Sequence, residues 1–81
     1  MLYIVVRDLD ANGKLLKEDR VSGNIPEAEF QHARYCMEYL FNLELQQNKR
    51  LFLKGGSIQC SERKCLMILP KRQYEVEILT A

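Results

Sequence analysis
Apolar and polar positions alternate clearly at both ends of the chain and follow a longer period in the middle. Residues 2–9 (Leu-Tyr-Ile-Val-Val-Arg-Asp-Leu) are rich in β-branched and aromatic types and predict a strand. Leu2, Ile4 and Val6 occupy one face, Tyr3 and Val5 the other, so the pattern predicts an inner strand covered on both sides. Asn12-Gly13 follows, and both residues tolerate the positive φ that a two-residue type I′ hairpin turn demands. That turn sets Arg7 opposite Glu18 and Asp8 opposite Lys17, two favourable cross-strand charge pairs.

A long helix is predicted next. Asn24 is placed as its N-cap, with Glu27 three residues on as in a capping box and Pro26 tolerated in the first turn. No Gly or Pro interrupts residues 27–54. A helix of about 22 residues would span roughly 33 Å. Phe30, Ala33, Cys36, Met37, Leu40, Phe41 and Leu43 recur at three- and four-residue steps. With Tyr39 added, the apolar stripe is wider than one sheet requires, which predicts that part of it meets a partner or a second subunit.

The final third reads as strands. Leu51-Phe52-Leu53 is a short apolar run ended by Gly55-Gly56, and Ile58 and Cys60 alternate with Gln59. Cys65 to Leu69 is continuous and stops at Pro70; Tyr74, Val76 and Ile78 alternate with Glu75 and Glu77. The expected fold is therefore α+β: ββα followed by three to four short strands, an antiparallel sheet with one long helix packed on one face. Eighty-one residues suffice for one such domain, spanning residues 1–81. Apolar residues at 47% and charged ones at 28% argue against disorder, and only two prolines and four glycines exclude a low-complexity or fibrous chain. No stretch approaches the roughly 20 apolar residues of a membrane span, and Arg7-Asp8 ends the first apolar run too early for a leader. With an odd number of cysteines and no secreted-scaffold spacing, a reducing cytoplasmic setting is expected.

Three cysteines and one histidine offer a candidate metal site. His32 and Cys36 lie one helical turn apart, and a tight loop over Ser61–Lys64 would set Cys60 opposite Cys65. Three thiolates and an imidazole suit tetrahedral structural zinc. The Cys-x₄-Cys spacing lacks the tighter form of strong zinc motifs, and free cysteines pack readily as small hydrophobes. Core thiols, with no cofactor, are therefore the simpler expectation, and a Cys60–Cys65 disulfide is opposed by a reducing compartment.

Charge is unevenly spread. Residues 1–48 carry net −3 and residues 49–81 net +4, the basic groups being Lys49, Arg50, Lys54, Arg63, Lys64, Lys71 and Arg72. Adjacent hairpin turns lie at opposite ends of a sheet, so these groups are expected to split into two patches. They suit phosphate contact, with Phe52 or Tyr74 near for stacking, although the pI of about 7.7 is low for a nucleic-acid domain. His32 with Cys36 is the sole candidate nucleophile–base pair, with Glu29 or Asp19 as orienting acid; Gly55-Gly56 matches no phosphate-loop motif.

The functional expectation is a non-enzymatic protein-binding module acting as a homodimer: an inhibitor or adaptor of the kind phages and mobile elements use to block a host enzyme or defence complex. Tyr39, Phe41 and Leu43 on the helix, or Arg63, Lys64, Lys71 and Arg72 on the turns, are its candidate contact residues. A small nucleic-acid-binding domain is the alternative.

Overall fold
A computed structural model describes residues 1–81. Five strands form one antiparallel sheet in the order β2-β1-β5-β4-β3, where β1 is Leu2–Asp10, β2 Leu15–Ile25, β3 Ser57–Cys60, β4 Lys64–Ile68 and β5 Arg72–Thr80. Helix α1 (Phe30–Gln47) crosses one face and is followed by a short helix α2 (Lys49–Leu53). The α+β class and the helix-on-sheet layering match the expectation from the sequence.

The β1–β2 register sets Arg7 opposite Glu18 and Asp8 opposite Lys17, as the charges suggest. The turn that produces it is different. Asp10 N–H donates to Lys14 O across a three-residue loop, and only Gly13 takes positive φ (84°). A bulge between Asp8 and Leu9 then shifts the pairing by one residue and restores the charge-matched register. Asp10 holds the loop through its carboxylate, which accepts from the N–H groups of Asn12 (2.9 Å) and Lys14 (2.8 Å).

Three expectations are corrected. Asn24 does not cap the helix: it sits inside β2 at φ 59°, a left-handed conformation that Asn tolerates. The helical segment begins instead as a 3₁₀ turn, Glu27–Glu29, behind an extended Pro26. Leu51-Phe52-Leu53 is helical rather than extended, because Asn48 breaks α1 only locally and Phe52 turns back onto the core. The Asn48 amide ties the break by donating to the backbone oxygen (2.8 Å) and carboxylate (2.7 Å) of Glu44.

Ala33, Met37 and Phe41, four residues apart on α1, are buried against Leu2, Ile4, Cys65, Met67, Tyr74, Val76 and Ile78. These sheet residues alternate along their strands, so one face carries the whole apolar core. No helix covers the other face. β1 is an inner strand as its pattern suggests, but its second side is covered by long charged side chains, not by a second layer.

Candidate functional site
On the uncovered face, the register places Arg7 between Glu18 of β2 and Glu75 of β5. Its guanidinium donates to Glu18 (2.5 Å), Glu75 (2.7 Å) and Glu77 (2.6 Å). Lys64 reaches the other oxygen of Glu75 at 3.4 Å. Glu75 is the one buried charged residue, and this pairing makes its burial tolerable. Burial works against the charge of Arg7, but the hydrogen bonds from Glu77, Glu18 and Glu75 outweigh it and raise its pKa above the ordinary value. Nearby, the Arg20 guanidinium lies 4.1 Å from the Tyr3 ring centroid.

The outer side of α1 carries a second feature. Tyr35, Tyr39 and Leu43 follow one another at four-residue steps and are 68%, 56% and 45% exposed. Of the helix residues expected to meet a partner, Tyr39 and Leu43 lie on this stripe. Phe41 does not: it belongs to the core, its ring 6.4 Å from that of Tyr74.

The basic residues divide between the two ends of the sheet. Arg63 lies over the Phe30 ring at 4.8 Å and Lys64 pairs with Glu75, so both are engaged at one end. The pairing of Ser57 with Ile68 carries the start of β3 to the other end, beside the Pro70-Lys71 turn and α2. Arg72 is held there by Asp8 (2.7 Å) and Glu44 (3.6 Å). Lys49, Arg50, Lys54 and Lys71 make no ion pair. Exposed Leu51 and Leu53 stand among them on α2. Of the two aromatics expected beside these basic groups, Tyr74 is buried, while Phe52 is half-buried against the core.

The four candidate metal ligands do not converge. His32 Nε2 lies 3.8 Å from Cys36 Sγ on one flank of α1. The Cys65 thiol instead senses Arg34 and Glu38, each two residues from Cys36 and so about 200° around the helix axis. No group of three or more His, Cys, Asp or Glu side chains has metal-binding geometry. As a nucleophile–base pair, Cys36 and His32 lack the orienting acid, since neither Glu29 nor Asp19 bonds the imidazole.

Comparison of the chain with known protein families, curated proteins and solved structures finds no match. No helix is long and apolar enough to cross a membrane.

Sequence reasoning missed the Arg7 cluster. Its signal was present in Glu75 and Glu77, which alternate with the apolar residues of β5 and so share one face. What was absent was the neighbour of β5, because strand order is not written in the strands themselves.

Proposed function
We propose that this domain is a non-enzymatic protein-binding module, an adaptor or a phage- or mobile-element-type inhibitor of a host enzyme or defence complex, working in the cytoplasm as a homodimer. The observation that carries this reading is the Tyr35–Tyr39–Leu43 stripe, which the core does not use. Aromatic side chains on a rigid helix lose little conformational freedom on contact and are frequent anchors of protein interfaces. Size-exclusion chromatography with light scattering tests it. The wild-type chain is expected at about twice its 9.5 kDa mass. Tyr39→Glu with Leu43→Glu is expected to run as a folded monomer. A wild-type monomer at high concentration removes the homodimer.

A second reading, nucleic-acid binding, is supported by the four unpaired basic groups Lys49, Arg50, Lys54 and Lys71 at one end. Phosphate contacts release counterions, so such binding weakens steeply with salt. Failure to retard either DNA or RNA at about 50 mM salt ends that reading.

A further inference from the structure
We propose that Cys60 and Cys65 form an exchangeable dithiol for low-molecular-weight disulfides such as oxidised glutathione, with Cys60 as the entry thiol and Cys65 as the resolving thiol. Three observations carry this. First, the two residues are direct partners across the β3–β4 hairpin. The Ser61 N–H donates to Lys64 O at 2.7 Å, which makes Ser61 and Lys64 a hydrogen-bonded pair. Pairs alternate along an antiparallel ladder, so Cys60 and Cys65 are the next, non-hydrogen-bonded pair, in which side chains approach most closely. The Cα separation of such pairs, about 4.5 Å, falls inside the range that disulfides span.

Second, the two thiols differ in access. Cys60 is exposed on β3, an edge strand with β4 as its one neighbour. Cys65 is only 3% exposed. Burial, then the adjacent Cys60 thiol and the Glu38 carboxylate, push the Cys65 thiol up to about 12. A reagent in solution therefore meets Cys60, and Cys65 reacts through it. Both line a concavity of about 250 Å³ with Glu38, Phe41, Asn42 and Ile58, which gives the leaving thiol a way out. Third, Cys36 lies on the opposite flank of α1 and takes no part in this pair.

The chemistry balances. The Cys60 thiolate attacks one sulfur of oxidised glutathione, the glutathione S–S bond breaks, and one glutathione thiolate leaves. Cys65 gives its proton to solvent base and attacks the Cys60 sulfur, forming Cys60–Cys65 and expelling the second glutathione thiolate. Two protein thiols are oxidised and one glutathione disulfide is reduced to two thiols.

The test is mass spectrometry of the Cys36→Ser chain after incubation with oxidised glutathione. The expected product has lost two hydrogens and carries no glutathione. In the same Cys36→Ser background, Cys65→Ala is expected to retain one glutathione at Cys60, and Cys60→Ala to remain unmodified. A lasting glutathione adduct on Cys60 of the Cys36→Ser chain overturns the proposal, as does a covalent dimer or complete lack of reaction. If Cys65→Ala does not fold, the product of the Cys36→Ser chain decides alone.

Discussion

The two faces of the sheet solve the same problem by different physics. Under α1, the alternating residues of β1, β4 and β5 meet Ala33, Met37 and Phe41 and exclude water with apolar volume alone. On the other face nothing is layered above the strands. There Val5 is nevertheless 3% exposed, set between Arg20 of β2 and Glu77 of β5, whose charged ends lie on Tyr3 and Arg7 of the same face. A single layer of helix suffices for this domain because the bare face is roofed by charged side chains that hold one another in place. No buried side-chain nitrogen or oxygen lacks a partner.

If the comparison is right, the helix-covered face is the more sensitive. Met37→Ala should cost about 2–5 kcal/mol, because Met37 is fully buried at the centre of α1 and its removal leaves a cavity. Urea unfolding measures it, and a loss under about 1 kcal/mol would place the core elsewhere. On the bare face, Arg7→Ala should cost on the order of 2 kcal/mol, since it strands Glu75 with Lys64 as its one remaining cation. The same measurement with Arg7→Ala and Glu75→Gln together should recover part of that loss; strict additivity would mean the cluster is not coupled.

Alkaline titration separates the faces again. Burial raises both Tyr74 and Cys65 of the covered face to about 12, so each binds its proton more tightly when folded than when unfolded. Their contribution is complete below the unfolded values and is lost as pH rises through about 9 to 12. Thermal melts should therefore fall over that window, and Tyr74→Phe should flatten the fall. The smallest effect is expected at Lys17, whose contact with Asp19 is exposed and 3.5 Å long. Lys17→Ala should change stability by under about 0.5 kcal/mol.

The sequence was most legible where a period and a charge agreed. The β1–β2 register followed from Arg7, Asp8, Lys17 and Glu18 even though the turn chemistry was misjudged, because the bulge after Asp8 absorbs the extra residue. The opposed cysteines followed from loop length alone, since the β3–β4 register runs without a bulge. Leu51–Leu53 misled because three apolar residues have no period, and only the packing of Phe52 distinguishes helix from strand there. Tyr39 and Leu43 were legible as surplus to the core, whereas Phe41 was not separable from them until the rotation of α1 on the sheet was known. That Arg72 is held by Asp8 and Glu44 while Lys49, Arg50, Lys54 and Lys71 make no ion pair is a matter of tertiary placement, and no strand pattern encodes that.

The strand order has a consequence for how the domain comes into being. β5 lies between β1 and β4, so the last strand is the one that joins the first hairpin to the second. Until it is available, the β1–β2 and β3–β4 hairpins share no ladder, and two-stranded hairpins are marginal in water. During synthesis the early strands must therefore wait, with Leu2 and Ile4 unburied, for a segment about seventy residues away. Folding should be a single event triggered by the emergence of β5, and a chaperone that shields β1 on the ribosome would act on a strand whose second neighbour is made about seventy residues later.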